Sequence, residues 1–377
     1  MTTSIDSTLD ARRRNKSLFV RWHIDLPLIL GFIMTLGLSL FILYSASGQH
    51  PEMLVKQFIR TLLALLVMIA VAQVPPRYFA KFSPYLYMIG LVLLLLVETV
   101  GDISKGAQRW LNLGFMRVQP SEMFKVVMPL TIAAFLSREA LPPRFISVLV
   151  AFAIMLLPAG LIMMQPDLGT AFLVLVSGFI AIFMAGLSIF WIVGGAVLAA
   201  GAIPLLWNFI LRDYQKQRVI TLFNPELDPL GSGYHIIQSK IAIGSGGLYG
   251  KGWLQGSQSQ LDFLPEPHTD FIFAVLAEEM GLVGFFVLIA IYIYIVSRCI
   301  YISLNTRDNF DRILVTSFTF TFVFYIFVNI GMVSGILPVV GVPLPMISYG
   351  GTAMVTLSIC FGIIMSIHTH KKAMIFR

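Results

Sequence analysis

The chain has 377 residues, of which 57% are hydrophobic and only 12% are charged, with a net charge of +7 and a mean hydropathy of +0.85. A soluble protein carries about twice that charged fraction, so the composition excludes an ordinary soluble enzyme and indicates a protein with many membrane spans. Membrane orientation explains much of the positive charge, which therefore does not indicate nucleic-acid binding. The two cysteines, Cys299 and Cys360, lie in or beside apolar runs, and no disulfide framework or cysteine metal site is expected.

Ten segments are predicted to cross the bilayer, because one helical crossing needs about 20 apolar residues. In chain order they cover residues 25–45, 55–74, 82–100, 119–137, 146–164, 169–186, 188–211, 270–297, 313–336 and 348–367. The sequence therefore predicts an all-α integral membrane protein of about ten transmembrane helices, with one transmembrane domain over 25–370 and polar tails at 1–24 and 371–377. No small-residue cleavage site follows the first apolar run, which is interpreted as an anchor.

The basic residues predict the orientation of the chain. Fifteen of the 26 lie before the first span, after the last, or in the loops after the second, fourth and eighth spans. The positive-inside rule places this face, with both termini, in the cytoplasm. The other eleven belong to the outer side: Lys56, Arg60, Lys105, Arg109, Arg117, Lys125, Arg212, Lys216, Arg218, Lys240 and Lys251. A solvated loop tolerates such charges, but together they also suit a surface that meets a phosphate-bearing lipid.

The first candidate functional site lies in residues 117–125, where the fourth span begins. Proline at 120 is typical of a helix start. Glu122 and Lys125 are three residues apart, so they share a helix face and can form a local salt bridge. Charges that point into a membrane bundle also indicate a functional site.

The turn between the fifth and sixth spans holds a second candidate, Asp167, in the sequence Gln-Pro-Asp-Leu-Gly-Thr at 165–170. Its carboxylate can cap the sixth helix. An ionisable residue between two membrane helices is equally a functional-site hypothesis.

A long outer loop, 212–269, joins the seventh and eighth spans. Loops longer than about 12–15 residues are usually functional or disordered. Residues 234–243 form an amphipathic stretch that is expected at the membrane interface, and Gly-Ser-Gly-Gly at 244–247 is expected to be a flexible break.

The end of this loop holds the most pointed candidate, Asp270, with His268 beside it and prolines at 265 and 267 stiffening the approach. Thr269 or Asp270 can cap the following helix. The functional interpretation is a partly desolvated carboxylate at the outer membrane rim, which is a better base than one in water.

Residues 335–351 are rich in glycine and proline at membrane depth. Irregular backbone is tolerated there only when protein buries it or when it lines a cavity, so a broken or re-entrant segment that shapes a groove is predicted. No P-loop or metalloprotease motif occurs, and neither ATP hydrolysis nor a nucleotide or organic cofactor is predicted.

Five of these segments, in order, resemble the SEDS family (shape, elongation, division, sporulation). They are KGAQRW at 105–110, QPSE at 119–122, QPDLGT at 165–170, HTDFIF at 268–273 and PLPMISYGG at 343–351. The likeness runs from the first span to the C-terminus and is nearest to the rod-shape-determining branch.

The resemblance implies a ten-helix fold and glycosyl transfer between lipid II molecules on the outer face of the bacterial inner membrane, with both termini cytoplasmic. It also implies a partner transpeptidase of the class B penicillin-binding proteins, and it places the essential carboxylate on Asp270. That carboxylate would act as general base on a sugar hydroxyl. A divalent cation, Mg²⁺ or Mn²⁺, can share in stabilising the pyrophosphate leaving group. The expected substrate-binding residues are Arg109, Arg117, Glu122, Lys125, Asp167, Arg218, Lys240 and His268.

Two other functions fit the same bundle. A lipid II flippase needs a polar path across the membrane, and a scaffold for a transpeptidase needs only surface, such as Phe285 and Phe286. Polymerised glycan from purified protein would exclude the flippase, and loss of rescue with Asp270→Asn would exclude the scaffold.

Overall fold

The computed structural model describes residues 22–104, 107–112, 117–165, 167–210, 213–228, 231–261, 263–264 and 266–375. Within these ranges, ten long helices match the ten predicted spans. They are α1 (Leu26–Ala46), α2 (Pro51–Ala72), α3 (Pro76–Val100), α4 (Pro120–Leu136), α5 (Phe145–Met164), α6 (Leu168–Met184), α7 (Ile189–Leu205), α11 (Ile272–Leu304), α12 (Asn309–Val333) and α13 (Gly351–Ile375). The prediction of about ten transmembrane helices is confirmed.

Shorter elements occupy two of the connections between the long helices. Between α7 and α11 the described chain contains a π-helical turn (Leu206–Ile210), α8 (Asp213–Phe223), a 3-10 turn (Pro225–Leu227), α9 (Ser232–Gly246) and α10 (Ser257–Gln260). Between α3 and α4, β1 (Asp102–Ser104), β2 (Ala107–Asn112) and β3 (Arg117–Val118) form a three-stranded antiparallel sheet. The sequence interpretation had only a loop there, because strands of two to six residues are too short to show an alternating pattern.

Eight helices in the described part are long and apolar enough to cross a membrane on their own. The other two, α4 and α6, have 17 residues each, which is the lower limit for a crossing. Helix α4 lies inside the bundle, where it packs against α3, α5, α6, α12 and α13. Most of its residues are buried, so protein surrounds the charges that it carries.

The expectation of a flexible break at 244–247 is wrong. Helix α9 continues through Gly246, and only Gly247 leaves the helical region with φ 56°. A Cβ on Gly246 would lie 1.9 Å from the carbonyl oxygen of Ala277 in α11. Gly246 therefore allows two helices to approach closely rather than making the chain flexible.

The amphipathic stretch at 234–243 belongs to the same helix and finds its apolar partner within the protein. Ile236, Ser239 and Ala242 are buried, and the Ser239 hydroxyl donates to the carbonyl of Val333 at 2.8 Å. The buried face of α9 packs against α11 and α12, and its position at the membrane interface stays a prediction.

Residues 334–350, between α12 and α13, contain no helix or strand. Val342, Leu344 and Ile347 in this segment are buried, while Gly335 and Gly341 have φ near 72°. The predicted broken segment is confirmed, and protein contacts bury much of it, as irregular backbone at membrane depth requires.

Candidate active site

The broken segment 334–350 brings two distant motifs together. A Cβ on Gly169, at the start of α6, would lie 2.5 Å from the carbonyl oxygen of Val340. A Cβ on the next residue, Gly341, would lie 3.5 Å from Oδ2 of Asp270. The turns that carry Asp167 and Asp270, which are a hundred residues apart in the chain, therefore lie against consecutive residues of this segment.

The backbone before α11 is held by three successive carbonyl groups. The carbonyl of His268 accepts from the Tyr349 amide at 2.9 Å, and that of Thr269 accepts from the Ser348 hydroxyl at 2.6 Å. The carbonyl of Asp270 accepts from Nδ2 of Asn329 at 2.9 Å. We call these three bonds the carbonyl clamp; it fixes the backbone from which the half-buried Asp270 side chain projects.

The capping alternative for this turn is wrong. Helix α11 begins at Ile272, and its N-cap residue is Phe271, with no side-chain hydrogen bond to the first turn. The Thr269 hydroxyl instead contacts Glu266, through the carbonyl at 3.2 Å and the carboxylate at 3.1 Å. Neither Thr269 nor Asp270 is therefore needed to start the helix.

Helix α2 supplies a cation that the sequence interpretation counted only as an outer charge. The guanidinium of Arg60 lies 4.4 Å from the centre of the Tyr349 ring. That ring meets His268 edge-on, with 5.9 Å between ring centres. Gln57, on the same helix, donates to the carbonyl of Ser348 at 3.3 Å. The half-buried Arg60 thus lies one aromatic ring away from His268 and the Asp270 turn.

Asp167 is largely buried and multiply bonded. Its carboxylate accepts from the Thr170 amide at 3.3 Å and so caps α6. It also accepts from Nε2 of Gln119 at 2.9 Å and lies 4.0 Å from Nη1 of Arg109. The capping interpretation is confirmed, and Asp167 also joins β2 to the start of α4.

Glu122 and Lys125 form the predicted salt bridge on α4. Lys125 is only 6% exposed, and its ammonium lies 5.3 Å from the centre of the Tyr325 ring. The pair lines a small cavity of about 20 Å³ between α4, α12 and α13. Since Glu122 already compensates the Lys125 charge, this cation is less suited to bind substrate than the sequence suggested.

The remaining predicted cations lie on the shorter elements that connect the long helices. Lys240 is exposed on α9, and its side chain runs against Gly335. Arg218 is partly exposed on α8, which packs against α9. Arg117 belongs to β3, and its side chain lies outside the described part of the structure, as do Lys105 and Arg212.

His235 on α9 packs beside the same turn. Its ring stacks on Phe271 with 5.7 Å between ring centres. Burial lowers the pKa of His235 below its ordinary value of 6.5, and the charges of Glu266 and Asp228 offset part of this effect. The ring is therefore neutral near pH 7.

The sequence interpretation missed two consecutive buried carboxylates in α11, Glu278 and Glu279, which are 0% and 1% exposed. Glu278 forms an ion pair with Lys251, whose Nζ is 2.7 Å from Oε1. Two acids within an apolar span were a usable signal, because ionisable residues in spans are expensive and need partners.

Several known proteins are similar to this chain. Residues 18–373 match the model of a family described as cell cycle protein, FtsW/RodA/SpoVE. The peptidoglycan glycosyltransferase MrdB of Escherichia coli K12 is 51% identical over 95% of this chain and 96% of the relative. A probable peptidoglycan glycosyltransferase FtsW of Coxiella burnetii is 33% identical over 92% and 97% of the two chains.

Two solved structures share the fold. A chain from work on the coordination of polymerization and crosslinking by a peptidoglycan synthase complex superposes with a TM-score of 0.79, at 31% identity over 91% of this chain and 97% of its own. The rod shape determining protein RodA of Thermus thermophilus gives a TM-score of 0.67, at 28% identity over 91% and 96%.

Proposed function

This chain belongs to the FtsW/RodA/SpoVE family of cell cycle proteins, and we propose on that premise that it is a peptidoglycan glycosyltransferase. It is a multi-pass membrane protein that polymerises lipid II into glycan strands during lateral cell-wall elongation. The support is the name of its 51% identical relative, which covers nearly the whole chain, together with the likeness to RodA.

The observation that carries the mechanism is the carbonyl clamp around Asp270. A general base must be held within hydrogen-bonding reach of the proton that it removes. Three bonds to consecutive carbonyls fix the backbone of this turn, from which the half-buried Asp270 side chain projects. We assign Asp270 as the base.

In the proposed glycosyl transfer, Asp270 removes the proton from the 4-hydroxyl of the acceptor sugar. The freed oxygen forms a bond to the anomeric carbon of the donor, and the bond between that carbon and the undecaprenyl pyrophosphate breaks. A single displacement inverts the anomeric centre. A retaining route needs a second carboxylate about 5 Å from the first, and the nearby Asp167 is already bonded to Gln119 and Thr170.

The pyrophosphate leaving group develops charge that fixed cations can stabilise. Arg60 is the best-placed candidate among the described residues, because it packs on Tyr349 beside the Asp270 turn. Arg109, Arg117, Arg218 and Lys240 are additional candidates on outer elements. Lys125 contributes only if its pairing with Glu122 breaks.

A divalent cation would have to rely on the substrate for most of its ligands. Among the described residues, no group of three or more histidine, cysteine, aspartate or glutamate side chains could hold a metal ion. Mg²⁺ commonly binds through one or two carboxylates together with substrate phosphates. Because these residues do not offer a protein cage, no step of the proposed mechanism passes through a metal.

The orientation and partner follow from charge and family. The basic residues of the inner loops support an inner-membrane position with both termini cytoplasmic and Asp270 facing the periplasm. A related chain comes from a complex in which polymerization and crosslinking are coordinated. That supports a crosslinking partner for this chain, and we propose a class B penicillin-binding protein.

The test is glycan polymerisation from fluorescent lipid II by purified protein, with and without its transpeptidase. Asp270→Asn is expected to lower the rate by about 10²–10⁴-fold, the contribution of a general base. The matched control is Asp213→Asn, which changes an exposed aspartate at the start of α8 and is expected to behave as wild type. Unchanged ladders from Asp270→Asn would move the base elsewhere. Absence of any ladder from folded wild type with its partner would overturn the glycosyltransferase assignment.

A further inference from the structure

Helix α11 is interrupted one quarter of the way along its length. Gly281 has φ 61° and ψ −151°, which are not helical values. The part before this break begins at Ile272, two residues after Asp270, and every residue from Phe271 to Glu279 is buried. We call residues 272–280 the strut. It is a short helical piece, buried except for the partly exposed Met280, and the proposed base lies just before its N-terminal end.

Glu278 anchors the other end of the strut to the outer loop. Its Oε1 accepts from Nζ of Lys251 at 2.7 Å, from the Ser257 hydroxyl at 3.2 Å and from the Gln258 amide at 3.0 Å. A Cβ on Gly256 would lie 2.9 Å from its other oxygen. The carboxylate is thus enclosed by one turn of the loop, with a cation as its strongest partner.

Backbone bonds hold the same loop against the same end of the strut. The Lys251 amide donates to the carbonyl of Glu278 at 2.9 Å, and the Gly252 amide donates to that of Glu279 at 3.1 Å. A Cβ on Gly250 would lie 2.0 Å from the Glu279 carbonyl oxygen, so only glycine fits there. The neighbouring carboxylate of Glu279 bonds the Ser45 hydroxyl at the outer end of α1.

The strut is therefore fixed at two points. The carbonyl clamp holds residues 268–270, and the Lys251–Glu278 pair holds the opposite end, eight residues or about 12 Å away along a helix. A buried ion pair is weak evidence for stability, because desolvation consumes most of its attraction. The directional bonds of the Lys251–Glu278 pair instead specify one arrangement of the loop relative to the strut.

We propose that Glu278, through its pair with Lys251, is a positioning residue that sets the location of the Asp270 carboxylate relative to the substrate. The inference rests on the proposed function, in which Asp270 is the base. A misplacement of about 1 Å in a reacting group can cost 10²-fold in rate. Disturbing this pair is therefore expected to lower kcat. KM is expected to stay nearly unchanged, because the candidate substrate-binding cations Arg60, Arg109, Arg117, Arg218 and Lys240 take no part in the pair.

The experiment compares Lys251→Met, Glu278→Gln and the double variant, using full-length protein with its transpeptidase. Lys251→Met leaves a buried, uncompensated carboxylate and lowers the melting temperature strongly. The double variant removes both charges and regains the melting temperature. The kcat of the double variant is expected to stay about 10-fold or more below that of wild type, with KM changed less than about twofold. Lys251→Arg, which keeps the positive charge, is expected to keep most of the wild-type kcat.

Recovery of kcat in parallel with the melting temperature in the double variant would overturn the inference, because the pair would then be only structural. A change in KM alone would overturn it too. The controls are Arg138→Met and Glu139→Gln, two exposed residues in the connection between α4 and α5, for which no change is expected.

Amide hydrogen exchange provides a second readout, independent of turnover. Glu278→Gln is expected to speed amide exchange at residues 268–271, which include the clamped residues, while exchange in α13 is unaffected.

Asp270→Asn is measured in parallel, so that failure of the base assignment and failure of the positioning inference can be told apart. If Asp270→Asn keeps its rate, the base assignment fails whatever Glu278 does. If Asp270→Asn is inactive and the Glu278 variants match the control in rate and exchange, only the positioning inference fails.

Discussion

Asp167 and Asp270 occupy similar positions in the fold, and the proposed function gives them different roles. Each closely precedes a long helix, and each turn lies against the Val340–Gly341 pair. Asp167 is itself the N-cap of α6, so its carboxylate meets the helix amides. Asp270 precedes the N-cap residue Phe271 by one position. In the proposed function, a shift of one residue relative to the helix start separates a capping carboxylate from the general base.

The largest effect should come from replacing each aspartate by asparagine. Asparagine caps a helix about as well as aspartate, so Asp167→Asn should keep the melting temperature and most of the polymerisation rate. Asp270→Asn should also keep the melting temperature but lose about 10²–10⁴-fold in rate. Equal losses of rate in the two variants, measured with fluorescent lipid II, would remove the distinction between these carboxylates.

Breaking the carbonyl clamp should come next. Asn329→Leu removes a fully buried donor that serves the carbonyls of Asp270 and Val342, at 2.9 and 2.7 Å. Leaving buried acceptors unpaired costs about 1–3 kcal/mol each, and the rate should fall because the Asp270 turn loosens. Thermal unfolding and polymerisation check this, with exposed Asn305→Leu as the control. Wild-type rates in Asn329→Leu would show that the clamp does not matter for activity.

A smaller change tests the contact between Gly341 and Asp270. Gly341 has φ 72°, where an alanine costs about 1–2 kcal/mol, and the added Cβ would touch the Asp270 carboxylate at 3.5 Å. Gly341→Ala should lower stability modestly and the rate more visibly. Gly48→Ala, at φ 64° and with only the His50 ring within 4 Å of the added Cβ, should give a similar loss of stability with an unchanged rate. If both variants lose rate equally, backbone strain alone is responsible.

The smallest effect concerns pH. Burial lowers the pKa of His235 below 6.5 in the folded protein, so the unfolded chain takes up this proton at a higher pH. Stability is therefore lost as the pH falls from 6.5 through the folded-state pKa. The drop in melting temperature between about pH 7.5 and 5.5 should be smaller in His235→Gln than in wild type, and exposed His50→Gln should leave it unchanged. An unchanged drop in His235→Gln would exclude this residue as the cause.

The ten long helices could be predicted because their length and hydropathy are local properties of the sequence. The Glu122–Lys125 pair was also predictable, since residues three apart share a helix face. The broken segment at 334–350 followed from its glycines and prolines. In each case the evidence lies within a few turns of the residue concerned.

The clamp could not be predicted, because it depends on contacts over long sequence distances. Asn329 is 59 residues from Asp270, and Ser348 is 79 residues from Thr269. The same limit applies to Arg60, whose position over Tyr349 only the tertiary packing defines. For Gly246, the sequence suggested flexibility, although the small residue serves a close helix contact.

The enclosed helix α4 has a consequence for how the protein enters the membrane. Within the described chain it is not among the eight helices long and apolar enough to cross independently, and a lysine within a span makes insertion by the translocon more costly. Pairing Lys125 with Glu122 reduces this cost, but the pair still needs surrounding protein. We therefore expect α4 to leave the translocon together with α3 and α5, which cover it, so that biogenesis of this region proceeds as a group of helices rather than one span at a time.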